Sequence, residues 1–339
     1  MDNRPEFNCG WGIYGSLILW VMVVVCKTTP EITDAEIKQI YSLFFEVFGK
    51  HRDCHTFREE YSNTPFGYSY HSLLYNDNGQ IVGFHSCMPF YYRNNNERFF
   101  VALGIDSMVK KEYRDYFYFR DMITTCQNRL KQEGCILRIG FPNDNSHPVL
   151  KRGLKHKDIG RLTTYCLIRN IGSVRFSLSW LNFFSRSAAK IQYYLSYLSI
   201  GNKLYEFRFR KDRRTFDVVR YKWFGGNYEH VNLGKAECFY KIQDYEGIST
   251  AFLLDVFPLS RSAFETAVRY IYKIEHKRID MILYVGALPF TPLGLVRIPH
   301  RFEPKHFHFT CKPLVDGVFD DGVYDLCQWD VNLSNFDLL

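Results

Sequence analysis

Among the 10 cysteines of this 339-residue chain, no two form a C-x-x-C pair. That absence argues against a zinc site and against a small disulfide scaffold, and makes reduced thiols in a cytoplasmic protein the simple reading. Neither charge sign dominates: 43 Lys and Arg against 36 Asp and Glu leave +7. Such a balance helps recruit a phosphate-bearing ligand and is too weak to argue for a nucleic-acid binder. The apolar N-terminus lacks the basic n-region of a signal peptide. Residues 8–26 carry no charge and residues 13–25 are strongly apolar. A bilayer span takes about 20 apolar residues, so three readings stay open: an anchor, a buried first strand over 21–25, or a start at Met22 with 1–21 as an extension. A membrane partner enters only with the first. His306 and His308 sit two apart, but no Cys or carboxylate stands beside them at ligand spacing, so no metal is expected.

What is present is an apolar share of 46% and a charged share of 23%, as in soluble globular chains of one large or two ordinary domains. The 30 Phe and 24 Tyr allow large cores and aromatic-lined grooves. Residues 102–134 organise the rest: a strand over 102–109, a charged aromatic loop over 110–116, then a helix. Phe119, Met122, Ile123, Cys126 and Leu130 share one face of that helix, and Gly134 ends it. A strand feeding a helix N-terminus is a ready anion site, because the first amides have no partner within the helix.

Upstream, Thr33 and Glu36 make a capping box for a helix with Ile37, Ile40, Tyr41, Phe44 and Phe48 inward, ended by Gly49. A short helix over 53–61 precedes strands over 68–75, 80–92 and 97–109, with a polar hairpin signal at 76–79. Downstream come an apolar strand over 135–141, a short helix to about Leu154, and a strand over 156–169.

This β-α-α-β-β-β-α-β-α-β order resembles the GNAT (Gcn5-related) N-acyltransferases over residues 21–170. The residues at 80–84, 106–114 and 153–155 carry the resemblance, as the meander strand, the central strand with its acyl-CoA loop, and the turn after the last helix. The resemblance implies acetyl-CoA or another acyl-CoA as substrate. Met108 and Val109 would flank the pantetheine arm. Lys110, Arg114, Asp115, Tyr116, Phe117, Tyr118 and Phe119 would form the pyrophosphate loop, with Asn145 beyond the next strand. In the family's loop, Arg or Gln is followed by two residues and then Gly-x-Gly; Arg114 fits, but Phe117 and Phe119 stand at the glycines. Asp115 adds a negative charge that Lys110, Lys111, Arg114 and Arg120 offset, unless it caps the helix.

Acyl transfer needs a base for the acceptor proton and an acid for the leaving thiolate. Asp106 on the central strand is the first base candidate and His85 on its neighbour the second. Val149 occupies the place of the family's acidic tyrosine, so Tyr113 or Tyr116 is the substitute. The C-terminal carboxylate of Leu339 is a further base candidate by analogy with tandem relatives.

Residues 171–214 read as a helical linker whose Trp180, Phe184, Ile191, Tyr194 and Leu198 pack inward. The basic cluster over 207–214 is a solvated linker face or an anionic contact. Residues 215–339 hold a hairpin over 236–257, a helix over 260–276, a strand over 280–285 and another near 306–311. They resemble a smaller, degenerate GNAT-like unit without a phosphate loop, and the tail over 329–337 resembles that of tandem proteins found with bacterial surface-polysaccharide synthesis. The expected fold is α/β: a GNAT-like mixed sheet flanked by helices over 22–170, then the degenerate unit. The expected function is transfer from acyl-CoA to an amine or hydroxyl, including an amino sugar of a polysaccharide precursor. A Fem-type aminoacyl transferase using charged tRNA and a non-catalytic GNAT-like binding domain are the alternatives. Oligomeric state is left open.

Overall fold

The computed structural model describes residues 22–213, 228–303 and 305–335. β1 (Val23–Thr28), a run rich in β-branched residues, lies antiparallel to β2 (Tyr70–Tyr75) at one edge of the first sheet. The N-terminal apolar run is therefore a strand from Val23 on, but a partly exposed edge strand and not the buried one expected. Residues 1–21, where the extension and most of the anchor reading fall, lie outside the described residues. Among the described residues no helix is long and apolar enough to cross a membrane.

The capping box opens α1 (Asp34–Phe48): the Thr33 hydroxyl accepts from the Glu36 N–H, and the Glu36 carboxylate accepts from the Thr33 N–H. Gly49, at φ +67°, closes the helix in the left-handed conformation. Phe48, expected inward, is exposed, and Leu43 is buried with Ile37 and Ile40 instead. α1 and α2 (Phe57–Ser62) cover one face of β2, β3 (Ile81–Asn94) and β4 (Glu97–Val109). α3 (Tyr116–Gln132) covers the other face with Met122, Cys126 and Leu130. β5 (Leu137–Gly140) returns parallel to β4.

The single strand expected over 156–169 is two, β6 (Lys157–Arg161) and β7 (Thr163–Ile168), and they enter different sheets. Nothing in the local pattern stops the strand at Leu162; the switch is set by distant pairing. β14 (His308–Pro313) inserts between β5 and β6, giving the order β1-β2-β3-β4-β5-β14-β6. The boundary expected near residue 170 is thus crossed in both directions.

The helical segment holds α4 (Ile171–Val174) and α5 (Asn182–Leu195). β8 (Phe209–Lys211) pairs with β3, and β9 (Glu229–Asn232), β10 (Glu237–Tyr245) and β11 (Ile248–Phe257) follow. Glu246 and Gly247, at φ +55° and +83°, turn the β10–β11 hairpin. After α6 (Arg261–Glu275) come β12 (Met281–Gly286) and β13 (Val296–Arg297), and the second sheet runs β13-β7-β12-β11-β10-β9. The succession β10-β11-α6-β12 repeats β3-β4-α3-β5, down to the parallel final pair.

One core joins the sheets: Phe90, Leu103 and Ile139 from the first meet Phe252 and Leu283 from the second around a fully buried Trp329. The Trp329 indole donates to the Val323 carbonyl at 2.9 Å. Here lies the basic cluster, and Arg210, Lys211 and Arg213 of it line a cavity of ≈ 540 Å³ together with Arg93, Asp212 and Asp330. Phe209 stacks on Trp329 at 4.8 Å, and the buried Lys211 ammonium meets Asp255 at 3.1 Å. Arg213 reaches Asp255 at 2.9 Å, and Arg208 reaches Asp320 at 2.8 Å. Arg208, Lys211 and Arg213 thus pair with carboxylates of distant elements; Arg214 lies outside the described residues. The linker aromatics also depart from expectation. Trp180, Phe184, Ile191, Tyr194 and Leu198 are all exposed, because the segment packs inward through the small residues Ser185, Ala189 and Ser196.

Candidate active site

The central strand of a sheet is ordinarily sealed on both edges, but β4 is not. It pairs with β5 only from Val101↔Leu137 to Gly104↔Gly140. Beyond Gly140 the chain turns away, and among the described residues none pairs with 105–109 on that side. Gly104, Ile105 and Asp106 are partly accessible and Ser107 is exposed, although they lie mid-sheet. On the β3 side the ladder skips from Phe84↔Met108 to Ser86↔Ile105, a β-bulge in which Asp106 and Ser107 oppose His85. Asp106 adopts φ +43°, a left-handed conformation that Asp tolerates better than most residues and that strained functional positions often show.

The bulge sends the two base candidates to opposite faces. Asp106 faces α1 and α2, where its carboxylate accepts from the Tyr61 hydroxyl at 2.6 Å and lies 3.7 Å from the Arg52 guanidinium. Burial and the Asp106 charge push the Tyr61 phenol well above its ordinary value, so Tyr61 stays protonated. Asp106, Tyr61, Arg52 and Met108 line a cavity of ≈ 10 Å³, room for a single water and no larger ligand.

His85 faces α3 and is buried. Arg138 of β5 donates to His85 Nε2 at 3.1 Å and to His156 Nε2 at 2.8 Å. A guanidinium cannot accept, so both Nε2 atoms act as acceptors. The proton of His85 then sits on Nδ1, which donates to the Ser107 hydroxyl at 2.7 Å. Both ring nitrogens of His85 are engaged by the chain's own groups, and it orients Ser107. Gly104 makes room for this arrangement: a Cβ there would meet Arg138 Nη2 at 2.5 Å. Among the described residues no carboxylate pairs with the buried Arg138. The Cys87 thiol beside it is raised by burial, but its hydrogen bonds and the neighbouring Arg138 charge outweigh this and hold it well below its ordinary value.

The loop after β4 departs from the phosphate-cradle expectation. Lys110 donates its amide to the Val82 carbonyl at 2.8 Å and places its ammonium 3.2 Å from Glu46. Arg114 turns back to the Val109 carbonyl at 3.1 Å. Asp115 is the cap of α3: its carboxylate accepts from the Phe117 N–H at 2.6 Å, so one first-turn amide is occupied by the chain's own anion. The Tyr116 ring covers Gly153, leaving no space for a side chain there. Phe117 is exposed under the Arg120 guanidinium, 5.2 Å from its ring centre, while Tyr118 and Phe119 pack beneath α3. Tyr113 points to Asn76 of the β2–β3 hairpin, so the structure does not bring it to Asp106. Asn145 belongs to a turn in which the Asn143 side chain accepts its N–H at 3.1 Å. Leu339 lies outside the described residues.

Sequence reasoning missed Tyr61, Arg52, Arg138 and His156. Only Arg138 left a legible signal, as the single charge in the apolar run 135–141. Folding brings Asp144 to His306 and His308 at 3.2 and 2.8 Å, a carboxylate that their sequence neighbourhood does not offer. Those three offer donor atoms within 4.8 Å of one another.

No protein-family model matches the sequence, and no curated protein matches it. Solved structures do. A GCN5-related N-acetyltransferase from Kribbella flavida aligns over 87% of this chain and 72% of its own, at 11% identity and TM-score 0.52. One from Anabaena variabilis aligns over 86% and 73%, at 11% identity and TM-score 0.53. A probable N-acyltransferase from Enterococcus faecalis aligns over 87% and 73%, at 13% identity and TM-score 0.53. The two sheets, the splayed β4 and β5 and the helices that flank them are thus a GNAT-like fold, shared with GCN5-related N-acetyltransferases.

Proposed function

We propose that the chain is an acyl-CoA-dependent acyltransferase acting at the β4 bulge, with Asp106 as its base. The observation that carries the reading is the exposed bulge at residues 106–107, where β4 parts from β5 and an ordered carboxylate lies beside free strand edge. The pantetheine arm would run along residues 105–109 as an added strand, with acetyl-CoA the simplest donor. The acceptor nitrogen or oxygen bonds to the thioester carbon, and amides of the bulge hold the oxyanion. Asp106 takes the acceptor's proton, the C–S bond breaks, and the departing thiolate regains that proton, so atoms balance. Tyr61 and Arg52 hold the carboxylate in place, and the one-water cavity beside them must widen to admit an acceptor. An amine or hydroxyl of a small molecule is the acceptor class; an amino sugar rests on the tail resemblance alone. Free thiols at every described cysteine fit a reducing, cytoplasmic setting.

Isothermal titration with acetyl-CoA tests this. Binding that weakens in Lys110→Glu and Arg114→Glu is expected; absence of heat at millimolar ligand removes the enzyme reading. A second reading, a GNAT-like domain that binds without catalysis, is favoured by the Asp115 cap and by the Tyr116 ring over Gly153. The Fem-type alternative would draw on the same 207–214 cluster, in which Arg208 pairs with Asp320, and Lys211 and Arg213 with Asp255.

A further inference from the structure

The helical segment between the sheets is built with its large apolar side chains outward. Its inward face is small and polar: Ser185 donates to the Arg169 carbonyl at 2.7 Å, and Ala189 and Ser196 are fully buried. Its outward face carries Phe176, Trp180, Phe183, Phe184, Ile191 and Leu198, spaced mostly three, four and seven apart, so they form one stripe. The exposures are large: 89% for Phe176, 72% for Trp180, 74% for Phe183 and 68% for Leu198. A contiguous apolar face of this kind on a water-soluble fold marks an interaction surface.

The chemistry of its surroundings selects the occupant. No Asp or Glu occurs from residue 171 to residue 205, in a chain that has 36 of them. Arg175, Arg186, Lys190 and Lys203 are all exposed along the same segment. Trp, Tyr and Phe flanked by Lys and Arg, with no acid among them, is the composition of a helix lying in a bilayer interface, where aromatic rings sit at headgroup depth and cations meet lipid phosphates. A protein partner would as readily meet acids as bases; an anionic lipid surface explains why only one sign is present. The segment is far shorter in apolar run than a span and lies flat on the second sheet, against β7 and α6.

We propose that residues 171–204 dock this protein on an anionic phospholipid surface, as a peripheral interfacial anchor. Each cation near such a surface is worth roughly fivefold in partitioning, and the aromatic side chains add the apolar term.

The test is co-sedimentation of the full chain with vesicles of phosphatidylcholine alone and of phosphatidylcholine mixed with phosphatidylglycerol. Binding to the mixed vesicles, weaker on the neutral ones and released by salt, is expected. The triple variant Phe176→Ser, Trp180→Ser, Phe183→Ser should bind at least about tenfold more weakly, and Arg175→Glu with Lys190→Glu should do the same on anionic vesicles only. Unchanged far-ultraviolet dichroism and melting temperature establish that the variants fold; since these positions touch solvent, both readouts should stay put. Wild-type protein that ignores anionic vesicles overturns the proposal. So does a triple variant that binds as wild type does, which would place the contact elsewhere, for instance in residues 1–21. A wild-type dimer that the triple variant abolishes, without vesicle binding, would assign the stripe to a second copy and equally overturn it.

Discussion

Two side chains opposed across the β3–β4 bulge, Asp106 and His85, divide the chemistry between the faces of one sheet. If Asp106 takes the acceptor proton, Asp106→Asn should lower kcat roughly 100-fold or more while acetyl-CoA affinity is kept. His85→Gln, which removes only a residue that orients Ser107, should lower it less than about tenfold. Steady-state kinetics on both variants check the pair; the reverse ranking would make His85 the base. Buried histidines also set the pH response. Burial lowers the His71 ring from 6.5 to about 3. Burial and the Arg138 charge lower His156 to about 2. In each case the unfolded ring accepts a proton that the folded ring refuses. Stability is therefore full above 6.5 and is lost as pH falls toward these folded values, by about 2 kcal/mol per histidine at pH 5. Urea denaturation from pH 7 to pH 5 measures it, and His71→Gln should remove one proton from the slope. None of this was legible in the sequence, because neighbours at 71, 85, 138 and 156 meet only through strand pairing.

At the scale of elements, α1 and the β10–β11 hairpin could be read directly, since Thr33 with Glu36, Gly49 and Gly247 each set a local geometry that no distant contact overrules. The run 156–169 could not, because its division at Leu162 depends on β14 and β12 claiming its two halves. The helix after β4 falls between these cases. Its apolar face was legible, and the Asp115 cap was one of two readings of that residue; the geometry selects the cap. Asp115→Asn keeps a capping side chain and removes its charge. Acetyl-CoA should then bind about tenfold more tightly, if a diphosphate sits at this helix end. Titration calorimetry on the variant reads the change, and unaltered or weakened affinity would place the diphosphate elsewhere.

For the whole molecule, the exchange of β7 and β14 between sheets means neither half completes its own hydrogen bonding. The core around Trp329 draws on both, and the Lys211–Asp255 pair bridges β8 to β11. Thermal unfolding should therefore be a single transition with equal calorimetric and van't Hoff enthalpies, and a chain ended at residue 170 should not fold. Two resolved transitions would indicate independent domains. Trp329→Ala should destabilise by about 3–5 kcal/mol, the usual range for a fully buried Trp. The measurement that bears most directly on the account as a whole is amide hydrogen exchange with and without acetyl-CoA. Slowed exchange confined to residues 105–109 and the first turn of α3 is the predicted result; a bound ligand that protects other segments and leaves these unchanged would contradict it.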